Sequence, residues 1–199
     1  MTTFSLDKFG VPLDGGRQGP LLQPKIKYRF RARFLNFGSI GNTADPVTLN
    51  LVSTTMPQVH HEEITVHAYN SIAYYAGKAN FDTIEMVVRD DVTNTVTRNV
   101  AAQLQLQFDH LNQTGYRSAT NYKFTTLIEV MDGGNDAVLE GWTLEGCFFT
   151  AVNYGDMNYS ENESKTITMT IRFDNATYVD EAGNQLMASP SSDPQGSTL

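Results

Sequence analysis

The sequence predicts a mainly β fold with one helix, an antiparallel β-sandwich or barrel in a single domain. Three observations carry that expectation. Ile26, Tyr28, Phe30, Ala32 and Phe34 alternate with Lys25, Lys27, Arg29, Arg31 and Arg33, the period of a strand with one apolar and one basic face. Ile167, Met169, Ile171 and Phe173 alternate in the same way with Thr166, Thr168, Thr170 and Arg172. Between them Val92, Val96, Val100, Leu104, Phe108 and Leu111 recur at three- and four-residue spacing, which forms one stripe of a helix that packs on a sheet.

The elements follow in order. Residues 1–24 are an irregular, flexible arm, because Gly10, Pro12, Gly15, Gly16, Gly19 and Pro20 interrupt any regular run. The basic-faced strand comes next, and after Gly38, Gly41 and Asp45-Pro46 residues 47–54 form a second strand that ends near Pro57. Residues 59–69 and 80–89 are two more strands, joined by a loop from Asn70 to Ala79 that exposes Tyr74, Tyr75 and Lys78. Asp90 or Asp91 caps the helix, and Gly115 follows its end. Residues 119–131, 138–152 and 165–173 return to strand, with a turn over Asp132 to Asp136. A domain over 25–179 is thus followed by a polar tail, 180–199, rich in Ser, Pro and Gly and expected to be flexible. About seven strands and one helix result, without internal repeat or linker.

Composition narrows the function. The 199 residues carry a net charge of −8, which argues against ordinary nucleic-acid binding, since that needs Lys and Arg to displace counterions from phosphates. The charge is uneven: residues 1–128 hold 12 basic and 10 acidic side chains, whereas residues 129–181 hold 11 acidic ones against Lys165 and Arg172. No apolar run reaches the ~20 residues needed to span a bilayer, and the N-terminal residues lack a secretory pattern, so a soluble protein made in a cytoplasm is expected. The lone Cys147 fits a reducing compartment and excludes an internal disulfide.

No enzyme motif survives inspection. There is no Gly-x-Ser-x-Gly elbow, and Cys147 lies in an apolar strand with Trp142, Leu144, Phe148 and Phe149, where a buried, inert thiol is the common case. His60-His61-Glu62-Glu63 with His67 is the one group that resembles a metal site. On a strand His61, Glu63 and His67 share a face, but alternation splits the adjacent four and no second cluster supplies ligands, so a solvated or interfacial strand is preferred. His110 belongs to the last helical turn, where a cation suits the dipole. Neither a metal nor a cofactor is expected. The basic face is the better functional candidate: Lys27, Arg29, Arg31 and Arg33 of one copy could meet the acidic C-terminal half of the next in a head-to-tail contact that closes a ring.

Several runs in their order resemble a known family. They are Lys27 to Phe34, then Pro46 to the Val/Thr-rich strand ending in Met56-Pro57, then Glu63-Ile64-Thr65-Val66 to Tyr69-Asn70, and Gly77-Lys78. In the C-terminal half they are Trp142-x-Leu144-x-Gly146-Cys147-Phe148, Gly155-Asp156-Met157-Asn158-Tyr159-Ser160, and Thr166-Ile167-x-Met169-x-Ile171-Arg172-Phe173-Asp174-Asn175. Over residues 25–178 this resembles the tail tube proteins of contractile-tailed bacteriophages. Phe149 departs from the pattern, since many relatives carry a proline there.

The resemblance implies a β-sandwich or barrel flanked by one helix, a structural subunit and not an enzyme. Its copies would form hexameric rings, stacked into a tube inside a contractile sheath, with baseplate and tail terminator proteins at its ends. The lumen would hold a tape-measure protein and then the DNA delivered to the host, without specific nucleic-acid binding and without a membrane partner. The particle would be a virion tail assembled in the host cytoplasm. On this reading Tyr74, Tyr75 and Lys78 are candidates for ring stacking, and Glu140 and Glu145 for a negative lumen or a subunit contact. The same fold is shared by the inner tube of type VI secretion systems and by phage-like contractile injection particles, which are the alternative. A monomeric β-sandwich binding module using His60 to His67 is the alternative from another class.

Overall fold

The structure, a computed structural model, describes residues 25–38, 45–115, 117–134, 137–160 and 162–180. The expected arm 1–24, and the expected tail beyond Asp180, lie outside the described residues. The elements are β1 (Phe30–Leu35), α1 (Asp45–Leu49), β2 (Leu51–Thr54), β3 (Val59–Ala68), β4 (Ser71–Phe81), β5 (Ile84–Arg89) and α2 (Thr95–Gln107). They continue with β6 (Phe108–Asp109), β7 (Thr114–Gly115), a 3₁₀ turn (Ala119–Asn121), β8 (Phe124–Met131), β9 (Val138–Asn153), β10 (Thr166–Arg172) and β11 (Asn175–Asp180).

All pairings are antiparallel, and β9 organises them. Its first half, up to Glu145, lies between β8 and β11, with β1 outside β8. Its second half, Phe148 to Asn153, pairs with β10, which leads through β5 to β2. The two halves meet at Gly146, whose φ of 69° lies in the left-handed region that favours glycine. A Cβ there would also overlap the Asp174 carboxylate. One long strand therefore turns a corner between two four-stranded sheets, and the core fills the angle between them.

The core confirms the alternation read from the C-terminal strand: Ile167, Met169, Ile171 and Phe173 are buried, as are Ile84, Met86 and Val88 opposite them. From the other sheet come Ala32, Phe34, Phe124, Ile128 and Leu144. Phe124 sits at the centre of an aromatic group, with ring centroids 5.0 Å from Phe37, 5.5 Å from Phe149 and 6.2 Å from Phe34. Helix α2 closes the angle with Val96 and Val100, both fully buried.

Several expected elements differ. The basic-faced strand begins only at Phe30, because Lys27 and Tyr28 form a turn, and Tyr28 is 72% exposed instead of facing the core. Residues 45–49 are a short helix, with Pro46 in its first turn where the missing N–H costs nothing, and the strand is confined to Leu51–Thr54. The expected loop 70–79 is strand β4. The helix is shorter than its stripe: Val92 and Leu111 are almost fully exposed, Phe108 is extended, and His110 lies in the β6–β7 turn, not in a helical turn. There the Asp109 carboxylate accepts the N–H groups of Leu111 and Asn112, a local alternative that ends the helix. Residues 119–121 form a 3₁₀ turn, and β11 went unread, so Asp180 belongs to the sheet opposite Glu140. The N-cap of the helix is Asn94, whose side chain makes no capping bond, and not Asp90 or Asp91; the Asp91 carboxylate reaches over it to accept the Thr95 N–H at 2.7 Å.

Asp90 ties the helix start to β10. Its carboxylate accepts from Lys165 Nζ at 2.9 Å, Thr97 Oγ1 at 2.8 Å and the Asp91 N–H at 3.1 Å. Burial pushes this carboxyl up, but the hydrogen bonds from Lys165 and Thr97 and the Lys165 charge outweigh it and hold the group below its ordinary value. A depressed carboxyl contributes stability above the unfolded-state range and loses it as pH falls through the folded value. In denaturation experiments between pH 7 and 3, the wild type is expected to weaken as acid protonates Asp90, while Asp90→Asn starts weaker and varies less with pH. Equal pH slopes would remove Asp90 as a contributor.

Candidate functional site

Hairpin β3–β4 stands out because it is a ribbon with almost no core of its own. The two-residue turn Tyr69-Asn70 joins strands in register from Ala68↔Ser71 to Val59↔Phe81, and Tyr69 takes a φ of 49°. Ten residues of strand reach about 33 Å. Along them Val59, Gly77 and Phe81 are partly covered and every other residue is exposed. At the bulge between His61 and Glu63 a Cβ on Gly77 would come within 2.8 Å of the Glu62 carbonyl, which requires glycine there. The register places Ile64 opposite Tyr75 and Val66 opposite Ala73, so those four share one face; Thr65, Tyr74, His67 and Ile72 share the other. Tyr74 and Tyr75, expected in a loop and both well exposed, therefore point to opposite faces of a strand, with Lys78 exposed on the same element. A two-stranded ribbon is marginal alone in water, and exposed apolar side chains on it mark a surface for a partner.

Some of the charges expected between copies, Arg31, Arg33 and Glu140, have partners of opposite sign within the chain. The antiparallel register sets Arg31 directly opposite Glu129. Arg31 Nε donates to Glu129 Oε2 at 2.8 Å, and Arg33 donates to Glu129 Oε1. Arg29 donates to the Asp132 carbonyl at 2.5 Å. Lys25 pairs with Glu140, which also accepts from the Tyr178 hydroxyl. Burial pushes the Glu140 carboxyl up, but Lys25 and Tyr178 hold it below its ordinary value, and Glu140 in turn pushes Tyr178 up to about 12. Spacing along the chain displayed the basic stripe but gave no means of finding its partner 96 to 98 residues away. Lys27 and Glu145 are both exposed, and neither makes an ion pair among the described residues.

The rest of the chemistry is structural. Burial pushes the Cys147 thiol up to about 11, and its Sγ donates to the Leu144 carbonyl at 3.3 Å. No group of three or more His, Cys, Asp or Glu among the described residues is arranged to hold a metal ion. His60 instead faces Asp82 at 3.5 Å. No helix among the described residues is long and apolar enough to cross a membrane.

Sequence reasoning missed two features. Among the described residues the sheet β9–β10–β5–β2 is open at both ends, since there β2 carries no outer partner and neither does the end of β9 beyond Phe149. At Phe149 itself a glutamine stands in for a strand: Gln107 Nε2 donates to the Phe149 carbonyl and Gln107 Oε1 accepts its N–H, both at 2.8 Å. Beside this clamp lies a shallow cavity of about 340 Å³ lined by Leu104, Phe108, His110, Phe149 and Val152.

No family model and no curated protein matches the chain. Solved structures do. A chain of the anti-feeding prophage cap, the AFP tube terminating cap, aligns with a TM-score of 0.61 and 14% identity over 85% of this chain and 99% of that one. A chain of the PVC sheath/tube terminator of an extracellular contractile injection system in its extended state aligns at 0.59 and 14%, over 80% and 99%. One from the PVC sheath-tube complex in the extended state aligns at 0.58 and 13%, over 89% and 99%. At such identities the likeness is one of fold: the chain has the mainly antiparallel β fold found in tube and terminator assemblies of contractile injection systems.

Proposed function

We propose that the chain is a structural subunit of a contractile tail, whose copies join edge to edge into hexameric rings that stack into a hollow tube. The single observation that carries this is a four-stranded sheet that, among the described residues, is left open at both ends, β2 and the end of β9, on a body that also extends an exposed ribbon. An open edge is a template for pairing, and two unlike edges at opposite ends of one sheet produce head-to-tail addition that closes when the rotation suits. The ribbon is the stacking element, with Tyr74, Tyr75 and Lys78 meeting the adjoining ring. Glu145 and Lys27 serve contacts between copies, and Glu140, Arg31 and Arg33 add the exposed edges of their in-chain pairs.

The outward face of β10 carries Thr166, Thr168 and Thr170 with a single cation, Arg172, and no strip of cations, which supports a channel wall past which DNA slides without being held. The partners are then further copies, a surrounding sheath, baseplate and terminator proteins at the ends, and a tape-measure protein followed by DNA in the lumen. The setting is a virion tail assembled in a host cytoplasm, and the role is not enzymatic. The likeness to extracellular contractile injection system and anti-feeding prophage structures favours a second reading with the same architecture and protein cargo instead of DNA.

Negative-stain electron microscopy of the purified protein across a concentration series tests the proposal. Hollow tubes are expected at high concentration. Single rings that never stack would assign the chain to a tube end instead of its length, and particles that remain monomeric even with a pre-formed baseplate supplied would overturn it.

A further inference from the structure

We infer that Gln107 sets the register of the contact between copies: by occupying Phe149 it confines an incoming β2 strand to Thr150–Asn153, and the Met56 end of that strand fills the cavity beside α2. The occupant is a second copy of this chain, so the inference rests on the self-assembly proposed above.

Four observations converge. Length comes first. Beyond Phe149 four residues of β9 remain without an outer partner, Thr150 to Asn153, and β2 is four residues long. Direction agrees as well. Every pairing from β9 through β10 and β5 to β2 is antiparallel, so β2 of one copy also lies antiparallel on β9 of the next, and the pattern continues unbroken. Face is the third. Ser53 lies opposite Val87 on the side away from the core, and Ala151 opposite Thr170 on the corresponding side, so they meet as a pair without exchanging the faces of either strand.

Charge is the fourth. Arg89 flanks the start of β2, where its N–H donates to the Asn50 carbonyl at 2.8 Å, and Glu85 flanks the end, where its carbonyl accepts the Thr55 N–H at 2.9 Å. Among the described residues neither pairs with an opposite charge in the chain. Antiparallel seating takes the Arg89 end towards exposed Asp156, just past Asn153. That end is therefore complementary in charge. Seated in this way, Met56, 44% exposed just past β2, reaches the wall made by Leu104, Phe108 and Phe149. Thioethers fill such irregular apolar gaps well.

Gln107 is a positioning residue on this account. Both Phe149 backbone groups are taken, so a strand that slid further along β9 would have to displace the amide or leave its own groups unpaired. The absence of a guard would leave a short, flat edge open to slippage.

Disulfide trapping in the full-length chain tests the inference. Ser53→Cys with Ala151→Cys, oxidised under assembly conditions, is expected to give a ladder of covalent oligomers, whereas Ser53→Cys with Asn153→Cys, displaced by two residues on one strand, gives little. Both positions are exposed and Cys147 is buried, so folding and background reaction are unaffected, with circular dichroism of the monomers as the check. Adding Gln107→Ala is expected to lower the yield of the Ser53–Ala151 link several-fold, because the strand is then free to slide past Phe149, and an unchanged yield would remove Gln107 as the residue that sets the register. Rings or tubes seen by microscopy in which the displaced pair links best, or neither links, would overturn this register while leaving the tube reading intact. Wild-type protein that forms no rings overturns the tube reading and the inference with it.

Discussion

Phe124→Ala is expected to lower the stability of the monomer by about 3–5 kcal/mol, the usual cost of truncating a fully buried aromatic ring. The ring is 1% exposed at the start of β8 and touches Phe34, Phe37 and Phe149. Those partners come from β1, the segment after it, and the second half of β9, so one side chain ties both sheets together at the corner. They cannot all collapse into the space left, because each is held by its own strand, and most of the cavity term should persist. For a domain of this size the loss corresponds to a fall in Tm of roughly 6–20 °C, read by thermal or urea denaturation. Tyr159→Ala, at a fully exposed position, is the companion measurement and should stay within about 0.5 kcal/mol of wild type. A loss below about 1 kcal/mol for Phe124→Ala would mean that the corner is held by other contacts.

Tyr74→Ala combined with Tyr75→Ala is expected to leave the monomer folded and to abolish or greatly shorten the tubes. Both rings are more than half exposed, at 65% and 59%, so little core is lost in the free chain. They stand on opposite faces of β4, with Tyr75 across from Ile64 and Tyr74 across from Thr65, and a neighbouring ring that grips the ribbon must cover both. Aromatic side chains of this kind contribute much of the energy at interfaces, and losing two per subunit is repeated at every copy in a ring. Circular dichroism and melting should match wild type, while sedimentation and negative stain show rings or monomers in place of long tubes. Tubes of unchanged length would remove the ribbon as the stacking element. A Tyr74 or Tyr75 variant that unfolds would place those rings against the body instead.

How much was legible follows from the range of the interactions involved. Period-two alternation is local, so the buried faces of β1 and β10 and the inertness of Cys147 were readable from neighbouring residues, and so was the middle of α2. Boundaries were not, because they depend on what competes beyond the element. The stripe through Phe108 and Leu111 continues the helical spacing, yet Asp109 offers the N–H groups of Leu111 and Asn112 a nearer acceptor and the helix stops. Asn70 and Gly77 read as loop signals in a run where the cross-strand partner, β3, supplies the missing order.

Local pattern along the chain establishes a mainly β fold with a helix, two alternating strands, an uneven charge and the absence of the enzyme motifs considered, since each of these rests on residues within a few positions of one another or on composition. Where the charges go and which surfaces stay open depends on the folded arrangement of distant segments. Register brings Glu129 onto Arg31 and Arg33, the turn at Gly146 sends β9 into a second sheet, and Gln107 reaches Phe149, 42 residues away. Such contacts are fixed by the joint packing of several elements around one core, and an edge is open or closed according to what the rest of the fold leaves beside it.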